Sequence, residues 1–256
     1  MDPEPTPARD VVARARGAGA FVVVAVLLAS AACATARSPR DEVIRQILPS
    51  TVQLRCEREG GARRAASGVV VARDASARRA WIITTRHFVE PLGPQQLYLA
   101  RPGRTDRVVA RLVRVSEGSD LALLAVEGVD LTPARLKDTV RLGDEIWVVA
   151  YPWGRRMTLS SGVVSQLAEG ERYDFEGPAR MVDVSVSYGA SGGGVFDAPT
   201  GALIGLVESY RTARVVLPQS AERTIEIPVP GETTLISAQA IRHFVAEAGL
   251  GTFLED

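Results

Sequence analysis

From residue 51 onward, apolar residues fall mostly in short runs separated by Gly, Pro, Asp and Ser, a pattern of strands and turns rather than of long helices. Thr51 to Cys56, Gly68-Val69-Val70-Val71-Ala72 and Trp81-Ile82-Ile83-Thr84-Thr85 are β-rich, and Arg73-Asp74-Ala75-Ser76 reads as a turn. Arg107 to Val115 sets Val109, Arg111, Val113 and Val115 on one face and Val108, Ala110, Leu112 and Arg114 on the other, because side chains alternate along a strand. Leu121-Ala122-Leu123-Leu124-Ala125-Val126 is apolar without alternation, as in a fully buried strand. Further strands are predicted at Glu145 to Tyr151, Thr158 to Leu167, Met181 to Val186, Leu203 to Ser209, Arg214 to Leu217 and Thr224 to Pro228. About a dozen strands at these spacings predict an all-β sandwich or barrels rather than alternating βα units. The one convincing long helix closes the chain: Ser237 can cap it, Ile241, Phe244, Val245 and Ala248 share a face, and Gly249 ends it. A short helix, Asp41 to Ile47, is expected before the first strand, and Ala168 to Pro178 reads as an exposed loop.

The first residues behave differently. Arg14 and Arg16 precede a small and apolar run from Gly17 to Ala32, the pattern of an export signal. Ala29-Ser30-Ala31 and Ala34-Thr35-Ala36 suit a signal peptidase, and Ala29-Ser30-Ala31-Ala32-Cys33 is similar to a bacterial lipoprotein box, which would put a lipid on Cys33. An uncleaved membrane anchor is the third outcome. The expected division is therefore an export or anchor segment over 1–36, a linker with a short helix over 37–50, and one domain over 51–256. That domain is long enough, at roughly 200 residues, for one large β domain or two small packed units.

Composition narrows the function classes. The sequence carries 30 basic and 30 acidic residues, so no net field invites nucleic acid. Its only cysteines are Cys33 and Cys56 and its only histidines His87 and His243, which supports neither a zinc site nor a disulfide framework. Cys56 is expected to be a buried, small apolar residue of its strand. No phosphate loop or cofactor motif is present, so no cofactor is expected.

The candidate chemistry lies in Gly189-Ala190-Ser191-Gly192-Gly193-Gly194. A serine hydroxyl becomes a nucleophile only with a base in hydrogen-bond reach and donors for the oxyanion it creates. Glycines around Ser191 allow a sharp turn, and the N–H groups of Gly189 and Ser191 are candidates for those donors; a glycine-rich turn between strands is the plain alternative. The base is His87 or His243. His243 lies off the apolar face of the terminal helix and reads as solvent-exposed, whereas His87 stands at the end of a buried strand. Asp120 enters the buried run at Leu121, and a carboxylate there needs a partner or serves as a strand cap. The order His87, Asp120, Ser191, with 33 and 71 residues between them, matches one of the known chain orders of a Ser-His-Asp triad.

Together these segments resemble a trypsin-like serine protease of the bacterial HtrA/Deg-like branch, from about Val52 to the terminal helix. Ala66-Ser67-Gly68-Val69-Val70 is similar to the family's first-barrel opening strand, Thr84-Thr85-Arg86-His87-Phe88-Val89 to its histidine motif, and Gly118-Ser119-Asp120-Leu121-Ala122-Leu123-Leu124 to its aspartate motif. Leu142-Gly143-Asp144-Glu145-Ile146-Trp147-Val148, Tyr151-Pro152-Trp153-Gly154 and Ser161-Gly162-Val163-Val164-Ser165 resemble the start of the second barrel. Asp183 to Gly193 resembles the nucleophile loop. The resemblance implies two packed six-stranded antiparallel β-barrels with a C-terminal helix, the site in the cleft between them, and peptide-bond hydrolysis through an acyl-enzyme on Ser191 with His87 as base, Asp120 orienting it and Gly189 in the oxyanion hole. It implies polypeptide substrates, a cell-envelope or periplasmic location, and no PDZ domain within this sequence. A protease-fold binding or scaffold protein is the alternative. Ala190 stands where Asn or Asp is usual, Gly194 where Pro is usual, and Ala150-Tyr151 where Gly-Asn is usual; Gly194 is expected to leave the oxyanion loop less fixed. The specificity pocket is expected along Ser185 to Tyr188 and Val207-Glu208-Ser209, with small or medium apolar side chains as its substrates unless Glu208 points inward.

Overall fold

The computed structural model describes residues 38–100, 106–168, 175–216 and 224–254. The segment 1–36 with Cys33, residues 169–174 of the expected loop, and Leu217 lie outside the described residues. The chain divides between Glu42 and Val43, and both barrels belong to the unit from Val43 onward.

After helix α1 (Pro39–Ile47) come strands β1 (Thr51–Arg58), β2 (Arg63–Asp74), β3 (Arg79–Thr85), β4 (Gln95–Ala100), β5 (Arg107–Val115) and β6 (Leu121–Glu127), with the single-turn helix α2 (Arg86–Val89) after β3. They close a barrel in the order β1-β2-β3-β6-β5-β4, every pair antiparallel. The short strand β7 (Val140–Arg141) pairs with β10 (Glu176–Gly177). A second closed barrel runs β11 (Ala179–Asp183), β14 (Thr224–Ser237), β13 (Leu203–Val216), β12 (Gly194–Asp197), β8 (Glu145–Ala150) and β9 (Thr158–Leu167). Helix α3 (Ala238–Glu247) follows, with Ser237 Oγ accepting from the Ala240 N–H at 3.3 Å and Gly249 at φ +77 past its end.

The unbroken apolar run of β6 has a direct cause. Ala122, Leu124 and Val126 fill the first barrel beside Leu54, Ile82 and Leu99. Leu121, Leu123 and Ala125 face the other way, into a core shared with Trp147, Val149 and Phe196 of the second barrel and Ile241 and Phe244 of α3. Strand β8 repeats this division, with Ile146, Val148 and Ala150 turned into its own barrel. The two barrels thus share one continuous apolar interface, and the cleft above it inherits fixed walls.

Several expectations change. Strand β4 was not apparent from the sequence, because Leu97 and Leu99 alone carry its buried face. The predicted runs at Leu203 and Arg214 are one strand, bent by register shifts after Val207 and Tyr210, and its partner extends to Ser237. The run from Met181 stops at Asp183; Val184 leaves the ladder but stays buried, its carbonyl accepting from Thr233 Oγ1 at 2.6 Å. On β5 the Val109 face is outward as the alternation requires, but a shift between Leu112 and Arg114 returns Val115 to the core side.

Candidate active site

The first barrel brings His87 and Asp120 together. Thr85 ends β3 and pairs with Leu121 at the start of β6, so the residues just beyond each strand end meet at one rim. The Arg86 N–H donates to the Asp120 carbonyl at 3.0 Å, and the His87 N–H donates to Asp120 Oδ1 at 2.8 Å. The other carboxylate oxygen lies 2.6 Å from His87 Nδ1. Because a carboxylate accepts, this geometry suits the neutral imidazole tautomer with its proton on Nδ1, the one that leaves Nε2 as an acceptor. Arg86 braces the approach from behind: its guanidinium holds Glu90 at 2.6 Å and donates to the Ser116 carbonyl at 2.9 Å.

The second barrel brings Ser191 on a loop made almost wholly of backbone contacts. The Trp153 N–H donates to the Tyr188 carbonyl at 2.7 Å, and the Gly193 N–H to the Ala190 carbonyl at 2.8 Å. In a trans peptide the N–H points opposite to its carbonyl. Both bonds therefore turn the N–H groups of Gly189 and Ser191 away from the Trp153 and Gly193 nitrogens, and among the described residues neither has a partner. Gly189 is at φ +87, and a Cβ there would lie 2.7 Å from the Trp153 nitrogen. Gly192, at φ +79, would drive a Cβ to 2.2 Å from the Ser67 carbonyl.

Ser67 stitches the two halves. This fully buried residue of β2 donates from Oγ to the Gly189 carbonyl at 2.9 Å and accepts from the Tyr151 N–H at 2.8 Å. Its own N–H donates to the Ser191 carbonyl at 2.9 Å, and Thr84 Oγ1 donates to the Ser67 carbonyl at 2.7 Å. The expectation for Gly194 is corrected here. It is locked into β12 between Leu206 and Val149, and a Cβ on it would meet the Phe196 ring at 2.4 Å. The close ring, not freedom of the loop, accounts for glycine at this position.

His87, Gly189 and Ser191 line one recess of about 280 Å³ with Arg64, Phe88 and Tyr188. Ser191 Oγ and His87 Nε2 are not hydrogen-bonded; that nitrogen is 3.5 Å from Thr85 Oγ1. His243 is exposed on α3 and paired with Glu247 at 3.1 Å, outside this recess. Glu208 is committed to Arg180, at 3.0 Å, and Ser209 to Thr234, at 2.8 Å. Cys56 is buried with Sγ 3.0 Å from Gln95 Oε1, and burial pushes its thiol above the ordinary range. Sequence reasoning missed Ser67, Arg86 and the Trp153 amide. Only Ser67 carried a hint, as a polar residue within an otherwise buried strand.

The family model described as a trypsin-like peptidase domain matches residues 66–206. The "Probable periplasmic serine endoprotease DegP-like" of Marinomonas sp. is 24% identical over 194 residues, which cover 74% of this chain and 38% of that protein. The protein of the same description from Hahella chejuensis is 33% identical over 135 residues, covering 51% and 27%. The chain therefore spans well under half the length of these relatives. An HtrA-type protease solved with a tripeptide superposes with a TM-score of 0.60 at 19% identity, over 82% of this chain and 64% of that one, a likeness of fold.

Proposed function

This chain belongs to the trypsin-like peptidase family, and we propose that it is a serine endopeptidase with Ser191 as nucleophile, His87 as general base and acid, and Asp120 orienting His87. The observation that carries this reading is the double hold of Asp120 on His87, at 2.8 Å to the backbone and 2.6 Å to Nδ1, on the recess that also contains Ser191 and the unpartnered N–H groups of Gly189 and Ser191. In this mechanism Ser191 Oγ attacks the substrate carbonyl carbon and its proton passes to His87 Nε2. The Gly189 and Ser191 N–H groups donate to the resulting oxyanion. Collapse breaks the C–N bond, and His87 returns the proton to the departing amine. Water activated by His87 then cleaves the ester on Ser191.

A fluorophosphonate probe tests it. The folded protein is expected to be labelled at Ser191, and Ser191→Ala to lose both labelling and peptide cleavage; a folded protein that resists the probe overturns the reading. The absent Ser191–His87 hydrogen bond favours one other reading, a protease-fold binding protein, which would bind peptides and stay unlabelled. The relatives' description as periplasmic, with the Arg14–Ala32 pattern, supports an exported protein of the cell envelope. Fatty-acid labelling with and without Cys33→Ala separates lipid anchoring from signal cleavage.

A further inference from the structure

The recess at Ser191 does not end at Tyr188. Arg64 and Ala65 also line a second groove of about 320 Å³, whose walls include Arg55, Arg63, Trp153 and Gly154. Trp153, on the groove, and Tyr188, on the recess, are both exposed and pack with tilted rings, their centres 5.4 Å apart and their planes at 39°.

The groove is short of carboxylates. Arg64 spends its hydrogen bonds on two carbonyls, those of His87 at 3.1 Å and Glu90 at 2.8 Å. Arg55 reaches only the Gly154 carbonyl, at 3.4 Å. Glu57 is the one carboxylate in the lining, and it is shared between Arg63 at 3.6 Å and Arg107 at 3.0 Å. Among the described residues, Arg55 and Arg64 thus have no carboxylate partner, although the sequence as a whole is neutral.

We propose that this arginine-rimmed groove holds an acidic stretch of the substrate, on the side of the scissile bond that departs as the amine. The side follows from the chemistry: the departing nitrogen must face His87, which protonates it, and Arg64, which holds the His87 carbonyl, is also a wall of the groove. An extended chain leaving that point advances about 3.3 Å per residue, so the first two to four residues after the cut lie along the groove. The guanidiniums select Asp or Glu there, and the Tyr188–Trp153 pair gives apolar parts of the same segment a surface to lie on.

This inference rests on the peptidase reading only for the side it assigns, and one binding experiment separates the two. The Ser191→Ala protein is titrated by fluorescence anisotropy with a labelled dodecapeptide carrying three Glu, and with its Gln counterpart. Each exposed contact is worth about twofold to fivefold, so the Glu peptide is expected to bind about fivefold or more tightly at low salt. The gap should close in Arg64→Glu and in Arg55→Glu, whose folding circular dichroism checks. Equal binding of the two peptides by a folded protein overturns the proposal whether or not Ser191 takes the probe. For the active protein, mass-spectrometric mapping of a digested proteome is expected to show Asp and Glu enriched within four residues after the cut. Enrichment confined to the other side of the cut, or none, overturns it as well.

Discussion

The two barrels hold their shares of the site by different means. The first uses side chains: one carboxylate grips both the ring and the backbone of His87, and the Arg86 guanidinium braces the loop that carries it. The second uses peptide groups: two carbonyls are tied down, and the two N–H groups opposite them stay unpartnered among the described residues. A side-chain hold depends on one charge, and removing that charge should remove most of the function while sparing the fold. A peptide-group hold is spread over several weaker bonds and depends on where the neighbouring backbone lies.

The largest effect is expected where the first hold breaks. Asp120→Asn keeps the shape but offers an amide to Nδ1, which favours the wrong imidazole tautomer. Turnover on a peptide substrate should fall by about 10⁴-fold. The unfolding midpoint should move little, because Asp120 sits at a partly exposed rim. A fall of less than tenfold in turnover would mean that His87 does not depend on this carboxylate.

The second hold should break by smaller steps. Gly189→Ala would force a Cβ toward the Trp153 nitrogen at a left-handed φ, shifting the peptide that carries the proposed oxyanion donor. The loss of one donor is worth about 10²- to 10³-fold in turnover. Ser67→Ala leaves the Gly189 carbonyl and the Tyr151 N–H without their shared partner, at a cost of about 1–3 kcal/mol in urea unfolding. Its turnover should fall less than that of Gly189→Ala, since the Trp153 bond still orients the Tyr188–Gly189 peptide. The reverse order would place the control of the donor at Ser67 rather than at Trp153.

This difference in means also explains what could be read from the sequence. His87 and Asp120 follow or precede runs so apolar that they had to be buried strands, and Ser191 sits in a conspicuous glycine frame. The order and spacing of the three were therefore legible. The holds on the Ser191 loop were not: the Ser67 bonds span 122 and 84 residues to Gly189 and Tyr151, and a backbone donor such as Trp153 leaves no mark in the residue alphabet. The same blindness covers β4, with two inward side chains, and the joining of the Leu203 and Arg214 runs into one strand whose partner extends past Pro228 to Ser237.

Tyr151 offers the smallest and sharpest test of the contrast, because its backbone and its side chain are used oppositely. Its N–H holds Ser67, whereas its hydroxyl is buried with no hydrogen-bond partner among the described residues. If the second barrel works through peptide groups, Tyr151→Phe should leave turnover unchanged within a factor of about two and alter stability at pH 7 by less than about 1 kcal/mol, since it removes only an unpaired polar atom. The pH dependence has a definite sign. Burial pushes the Tyr151 hydroxyl from its usual 10 up to about 12, so the folded state holds the phenolic proton more tightly than the unfolded chain. The associated stability is present below pH 10 and is lost as pH rises from 10 toward 12. Across that window the natural protein should lose more stability than Tyr151→Phe, as measured by urea unfolding at pH 8 and pH 11. The other four tyrosines of the sequence are common to both proteins and cancel in the difference. Parallel curves across that window would mean that water reaches the hydroxyl, and a large loss of turnover in the variant would mean that the side chain, not the peptide, supports the loop.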